Sequence, residues 1–363
     1  PYLTRSKNLR GLRVTLEHAD KKKRLSWEFL DGMAMTGASS WPDKHLKFFL
    51  ERFAPEYHKL VGPDFEHEEF NAENPAHVAY AERDSEGLYY AMLRAQEIVH
   101  GTFGVPLYPT IGNTGIRIFQ RNIPEGVTIW EPPSSACTII RDYVMRGGYC
   151  HCVRSFEGPI WKYDINQAYA AAMRDSWLPS GRCTHVDRVH KFANVAIYRV
   201  TAKNPKNKFP FYYRNGLNDS VYGVKELTDT WITNEELDQL NREKWDLNVT
   251  EGYIWDEVFN MRDYVTELET LRMTAEGGPS GAIGLVVKAV GNNSYGKTVE
   301  RLEGLELILS RDCPEGYFAY QDDDDLFRHV WAKLQAPVPR DYHQPQLGAF
   351  ITAHVRMVTR RAA

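Results

Sequence analysis

Lys288-Ala-Val-Gly-Asn-Asn-Ser-Tyr-Gly-Lys-Thr298 supports two incompatible readings, and the choice between them decides the fold. From Gly291 to Thr298 the stretch satisfies G-x-x-x-x-G-K-[ST], the loop that cradles phosphates between a strand and a helix. Lys288, Asn292 and Tyr295 also fall at i, i+4 and i+7, so a continuous helix would share them on one face. The first reading brings Lys297 to a phosphate, the second Lys288. A phosphate-loop domain must still build a parallel sheet with crossovers after its loop. Only residues 299–363 follow Thr298, and they include loops at 312–316 and 335–346. The helical reading is therefore expected. Gly291 within such a helix costs about 1 kcal/mol relative to Ala, which is tolerable where a nucleotide must approach closely.

The bulk numbers permit two or three domains: 363 residues, 43% hydrophobic and 25% charged. No apolar run approaches the roughly 20 residues of a membrane span, and no secretory signal opens the chain, so no membrane partner is expected. Five cysteines, sparse and odd in number, suit a reducing compartment and point to the cytoplasm. Cys150-His-Cys152 lacks a second ligand pair for zinc and reads better as an alternating strand. The net charge of −4 neither supports nor excludes a nucleic-acid partner, although the first 24 residues are locally basic (Arg5, Lys7, Arg10, Arg13, Lys21 to Arg24). The chain starts at Pro1 and stops at Ala363 in the middle of an ordered pattern, as expected of a piece of a longer protein.

Periodicity predicts a helical pattern within 25–60 (Leu46, Phe48, Phe49, Phe53), an acidic loop at 62–75 and a strong helix over 76–100. The segment 104–135, rich in proline and glycine, reads as a connector. Short strands are expected around Cys150–Arg154 and Ile160–Asp164, a helix over 168–174, and a strand over 193–201. The region 203–223 reads as loop. Thr233-Asn-Glu-Glu236 is a capping box that opens a helix. Further helices are expected at about 257–275 and 281–298.

Four more motifs carry chemistry. Asp164-Ile-Asn-Gln-Ala-Tyr169 sits where a strand passes into a helix, a place where a carboxylate can be exposed to hold a divalent cation; capping the helix is the plain alternative. Arg146-Gly147-Gly148 is a turn entering a strand. Tyr80-Ala-Glu-Arg-Asp84 places a phenol and a carboxylate at i and i+4 on the 76–100 helix. Residues 348–358 (Gly-Ala-Phe-Ile-Thr-Ala-His-Val-Arg-Met-Val) close the series.

In this order the series resembles the protein-primed family B DNA polymerases of phages and linear plasmids. Their elements are Y-x3-D, Y-x-G-G, D-x2-S-L-Y-P and the fingers motif K-x3-N-S-x-Y-G. The resemblance implies an α+β and α/β multidomain fold, in which the C-terminal part of a ribonuclease-H-like exonuclease domain precedes a family B palm and fingers. It implies residues 1–105 as partial 3′–5′ exonuclease, 106–136 as connector and 137–200 as palm with the first metal-binding carboxylate. Residues 201–265 become a terminal-protein-region insertion, 266–298 the fingers, and 299–363 a second insertion with the start of the palm helix, which the resemblance implies for 348–358.

Carried over residue by residue, Asp164 is a catalytic metal ligand and Tyr169 the gate that excludes ribose. Lys288 contacts the triphosphate, Arg272 is a second phosphate contact, and Asn292, Tyr295 and Gly296 shape the nascent base-pair pocket. Arg146, Gly147 and Gly148 touch DNA. Tyr80 and Asp84 belong to the exonuclease, Asp84 as metal ligand, with Lys59 assisting. The chain departs from the family at Gln167, Ala168 and Ala170, which replace Ser, Leu and Pro, and at Met145, which replaces Tyr. Implied cofactors are two Mg²⁺ ions, with Mn²⁺ as substitute. Implied partners are primer-template DNA, dNTPs and a terminal priming protein. Asp64-Phe-Glu66 and Tyr320-Gln-Asp322-Asp-Asp324 mimic further family acids but read as solvated acidic loops. A chain without those acids that only binds nucleic acid remains the alternative from a different class, and a phosphate-loop NTPase the third.

Overall fold

The computed structural model describes residues 2–3, 9–17, 24–62, 69–148, 157–159, 164–165, 167–204, 211–214, 220–300, 302, 304–319 and 330–362. In chain order the strands are β1 (Tyr2–Leu3), β2 (Leu9–Glu17), β3 (Arg24–Leu30), β4 (Leu178–Val186), β5 (Ala196–Lys203), β6 (Phe211–Arg214), β7 (Ser220–Val224), β8 (Glu226–Thr233), β9 (Asp246–Phe259), β10 (Leu305–Leu309), β11 (Phe318–Ala319) and β12 (Val330–Leu334). The helices are α1 (Gly32–Thr36), α2 (Leu46–Phe53), α3 (Pro75–Phe103), α4 (Ile111–Arg121), α5 (Ser134–Ile139), α6 (Ala168–Asp175), α7 (Asn234–Arg242), α8 (Arg262–Thr274), α9 (Ala282–Asn293) and α10 (Pro345–Ala362). They divide between two compact units. One comprises Pro1–Thr114, Arg272–Val290 and Arg301–Asp341; the other comprises Gly115–Leu271, Gly291–Glu300 and Tyr342–Ala363.

In the first unit β1, β2 and β3 form an antiparallel sheet, and β10, β12 and β11 form another. Helix α3 is the expected long helix. The Asn74 side chain accepts from the Ala76 amide, Pro75 occupies the first turn, and Gly104 in the left-handed region ends it. Helices α2 and α3 bury Phe49, Leu50 and Phe53 with Ala91, Ala95, Ile98 and Val99. Small residues on α3 permit this approach: a Cβ at Gly87 would already stand 3.0 Å from Leu50 Cδ2. Trp41 stacks on Phe53 with ring centroids 5.5 Å apart.

The second unit is built on a four-stranded antiparallel sheet of order β4-β9-β5-β8, with β6 and β7 as a separate pair. Ala196, Tyr198, Val200 and Ala202, alternate residues of β5, share one face. They pack with Leu237 and Leu240 of α7, Trp245 and Met357 of α10. The capping box forms as expected: the Glu236 amide donates to Thr233 Oγ1 at 3.3 Å, and the Thr233 amide to Glu236 Oε2 at 2.9 Å.

Glu236 does more than cap. Arg146 Nη2 donates to both of its carboxylate oxygens at 2.8 Å, and Arg356 Nη2 and Nε donate to Oε1 at 2.9 and 3.1 Å. Arg146 Nη1 also reaches the Tyr212 carbonyl at 2.6 Å, and Arg356 Nη1 the Arg146 carbonyl at 2.7 Å. The Arg146 and Glu236 side chains are 0% exposed. Burial alone would push the Glu236 carboxyl up, but the two guanidiniums and the Thr233 amide hold it below the ordinary range. Arg146 falls to about 10, through burial and the like charge of Arg356, against the opposing pull of Glu236.

Several expectations change. Helix α4 lies inside the stretch read as connector; Gly112 and Gly115 conceal it, but Ile116, Ile118 and Phe119 are buried along it. Residues 257–259 finish β9, and α8 starts only at Arg262, whose amide is capped by the Asn260 side chain. The expected loop at 203–223 contains β6 and β7. The division at 200/201 falls within β5. The strands expected around Cys150–Arg154 and Ile160–Tyr163, the Cys150-His-Cys152 triplet and both acidic mimics lie outside the described residues, as do Arg5, Lys7 and Lys21–Lys23. Among the described residues no helix is long and apolar enough to cross a membrane.

Removing one partner of a buried ion cluster leaves uncompensated charge, so Glu236→Gln should destabilise the protein by about 3–5 kcal/mol in urea unfolding. The Glu236 carboxyl sits lower in the folded than in the unfolded state. Its contribution is therefore complete above the unfolded value of about 4.3 and is lost as the pH falls through the folded value. The variant should show a shallower loss of stability across that acid range.

Candidate functional site

Helix α9 separates the two readings of the opening stretch. It runs unbroken through Gly291 to Asn293, and a short 3₁₀ turn covers Tyr295–Val299. A phosphate loop would need a strand before Gly291 and a helix after it. Instead Lys297 pairs with Glu300, and the buried Thr298 hydroxyl donates to the Tyr295 carbonyl at 2.6 Å. The NTPase reading is corrected by this geometry, and the expected single helix over 281–298 is shorter by its last turn.

In the second unit Asp164 is exposed and leads into α6. Gln167, at the N-cap of α6, adopts φ 49° and ψ 47°, the left-handed region that a residue with a Cβ seldom enters. Helix α6 packs on α10 and is tied to α8 by Arg174, whose Nη1 donates to Glu269 Oε2 at 2.8 Å. Two residues after Gln167, Tyr169 meets Tyr295, ring centroids 4.5 Å apart and planes at 34°. Burial, reinforced by Tyr169, pushes the Tyr295 phenol well above the usual tyrosine range, so it stays neutral. Gly291 faces Gln167 Oε1 and Leu268 Cδ1, at 3.9 and 3.7 Å from where its Cβ would stand. The expected nucleotide-site residues Tyr169 and Tyr295 are thus brought together beside the turn that carries Asp164. Gly296 is exposed with open space around it, and Asn292 lies half-buried at the end of α9.

Lys288 stands one helical turn before Asn292 on α9; it is half-buried and, among the described residues, has no ion pair. Arg272, near the end of α8, has a buried Nε without a hydrogen-bond partner among the described residues. Arg146 requires a correction. Its guanidinium is fully buried on Glu236 and cannot reach a DNA phosphate, because its fork is engaged inside the protein. Gly147 and Gly148, next in sequence, are exposed, with open space where a Cβ would stand.

In the first unit Tyr80, Asp84 and Lys59 form a cluster. Lys59 Nζ lies 3.4 Å from Asp84 Oδ2 and 5.1 Å from the centre of the Tyr80 ring. A hydrogen bond to Tyr80 and the nearby Asp84 charge raise the Lys59 ammonium above its ordinary value, against a burial effect in the other direction. Gly62 is required here, since a Cβ would overlap the Tyr80 ring. Asp84 Oδ1 is buried and, among the described residues, has no hydrogen-bond partner. An orphaned carboxylate oxygen of this kind suits a hard divalent cation. The exposed Asp164 carboxylate offers the same donor chemistry. Among the described residues no group of three or more His, Cys, Asp or Glu side chains is placed to hold a metal ion.

Two features escape a reading of the sequence: the Glu236–Arg356 link, for which the capping box gives only half the signal, and the left-handed Gln167. Because a Cβ at Gly291 would make only ordinary contacts, Gly291→Ala should raise the unfolding free energy by up to about 1 kcal/mol. Differential scanning calorimetry checks this.

The sequence profile of the family described as DNA polymerase type B, organellar and viral, matches residues 63–322. No curated protein sequence matches the chain. Among solved structures, the phi29 DNA polymerase complexed with primer-template DNA and incoming nucleotide substrates superposes with a TM-score of 0.72 at 19% identity, covering 99% of this chain and 62% of that one. The phi29 polymerase complexed with single-stranded DNA gives 0.69 at 18% identity, over 99% and 61%. The chain thus shares the fold of these proteins and spans about three fifths of their length. The chain belongs to the type B DNA polymerases, organellar and viral.

Proposed function

We propose that the protein of which this chain forms part is a template-directed DNA polymerase that transfers a deoxynucleotide to a primer hydroxyl. The observation that carries this reading is the meeting of Tyr169 and Tyr295 beside the turn bearing an exposed Asp164. Family membership and the likeness to structures solved with primer-template DNA and nucleotides support it.

Each residue has a role in this reading. The Tyr169 ring, braced by neutral Tyr295, forms the floor beneath the incoming sugar and excludes a 2′-hydroxyl. Lys288, a half-buried ammonium with no ion pair among the described residues, binds the triphosphate, with Arg272 as a second phosphate contact. Asn292 and Gly296 border the nascent base pair. The exposed Gly147–Gly148 turn meets the template strand through its backbone. Asp164 would hold Mg²⁺ or Mn²⁺, which supplies charge neutralisation at the transferring phosphoryl group. A terminal protein offering a hydroxyl serves as the first primer, and the reaction takes place in the cytoplasm.

The Lys59–Tyr80–Asp84 cluster supports a 3′–5′ exonuclease in the first unit. There Asp84 would bind a metal through its orphaned Oδ1, and Lys59 would hold the carboxylate in place through Oδ2.

Primer extension and degradation of single-stranded DNA by the full-length protein separate these assignments. Asp164→Ala should abolish nucleotide incorporation while leaving DNA affinity and exonucleolysis within about twofold, a change too small to signal a lost transition-state contact. Asp84→Ala should do the reverse. Synthesis that survives Asp164→Ala would sink the polymerase assignment, and DNA binding without any synthesis by the parent would favour a binding role alone.

A further inference from the structure

Helix α8 is held to α6 at two points. The Met261 amide, one residue before α8, donates to the Met173 carbonyl at 3.0 Å, and both methionines are buried. Eight residues further on, Glu269 accepts from Arg174 Nη1 through both carboxylate oxygens, at 3.0 and 2.8 Å. At about 1.5 Å per residue the two points lie roughly 12 Å apart along the helix. The first alone is a pivot; the second sets the tilt of α8. The Arg174 guanidinium is itself braced, its Nε and Nη2 donating to the two oxygens of Asp175 at 2.9 Å each. Asp175 belongs to α6, so this second fork orients the guanidinium without reaching α8.

Glu269 adjoins Leu268, a buried side chain whose Cδ1 stands 3.7 Å from where a Cβ of Gly291 would be. Beyond Gly291, in the 3₁₀ turn after α9, Tyr295 meets Tyr169 at the head of α6. The contacts Arg174–Glu269, Leu268–Gly291 and Tyr295–Tyr169 therefore close a triangle among three helices, with all six residues in the second unit. Two sides of the triangle are apolar or aromatic and tolerate sliding. The third is a guanidinium gripping both oxygens of a carboxylate, which fixes direction as well as distance. Its side chains are about one third exposed (32% and 34%), so its consequence lies in geometry more than in stability.

We propose that Arg174 is a positioning residue for sugar discrimination: through Glu269 it sets the tilt of α8 and, by way of Leu268 and Gly291, the place of Tyr295 against Tyr169. Arg174 itself touches no substrate. This rests on the polymerase reading above, in which the Tyr169 ring excludes a 2′-hydroxyl.

The test is single-nucleotide incorporation by the full-length polymerase on a primed template, with the deoxyribonucleotide and the ribonucleotide of one base. The preference is the ratio of kcat/KM for the two sugars. Tyr169→Ala should abolish it. Arg174→Ala and Glu269→Ala should each lower it about fivefold, and the double variant no further than either alone. In the Tyr169→Ala background neither should change it, because both act through that ring. Asp175→Asn leaves the pair between the helices in place and should stay within about twofold of the parent. A partly unfolded enzyme loses activity toward both sugars alike, so the ratio reports the placement of the ring. An unchanged ratio in Arg174→Ala or Glu269→Ala, additive effects in the double variant, or a larger effect of Asp175→Asn each overturn the proposal. If Tyr169→Ala abolishes the preference and Arg174→Ala retains it, this assignment alone fails. If Tyr169→Ala retains the preference, or the parent extends no primer, the reading beneath the proposal fails and the proposal with it.

Discussion

One carboxylate serving two guanidiniums in a dry interior is the constraint on which the second unit depends. Glu236 starts helix α7, accepts from Arg146 just after the Ile140–Val144 turn, and accepts from Arg356 in the middle of α10. Arg146 adds the carbonyl of Tyr212 in β6, and Arg356 adds the carbonyl of Arg146. Four segments remote in sequence are thereby held by groups that lose most of their hydration on folding. Such a cluster contributes little net stability compared with an apolar core, but a misplaced member is heavily penalised. It acts on register: helix α10 cannot slide against α7 without leaving a buried charge unpaired.

The sequence makes local periodicity legible and hides long-range partnership. Helices α2, α3 and α7 follow from apolar spacing and caps, as Asn74, Thr233 and Gly104 illustrate, whereas α10 is expected from the family resemblance alone. Helix α4 is hidden because its two glycines mark a turn in any local reading, while the burial of Ile116, Ile118 and Phe119 that overrides them is tertiary. Strand β9, 14 residues long and paired on both sides, takes its identity from β4 and β5 rather than from its own composition. At the site, the i, i+4 pair Tyr80 and Asp84 predicts a shared face, and Lys59 joins them through the fold. Arg146 misleads because a basic residue beside two glycines has the same sequence signature whether it faces solvent or lies buried on a carboxylate.

The double reading of residues 288–298 has a physical origin. Glycine is favoured wherever backbone must pass close to another group, and lysine wherever an anion must be met, so loops and helices that handle nucleotides draw on the same residues. What differs is the backbone that precedes them. Here α9 is already helical from Ala282, well before Gly291, with Leu285, Val286, Val287, Ala289 and Val290 buried. A strand ending at Gly291 is incompatible with that helical backbone, whereas the run of buried apolar residues alone would suit either.

With Arg146 engaged internally, the Gly147–Gly148 turn has no side chain to present. Its exposed groups are peptide N–H and C=O, which every residue of a chain shares. Groups of this kind carry no means of telling one base from another. Under the proposed function, that indifference would keep the turn from favouring one template sequence over another.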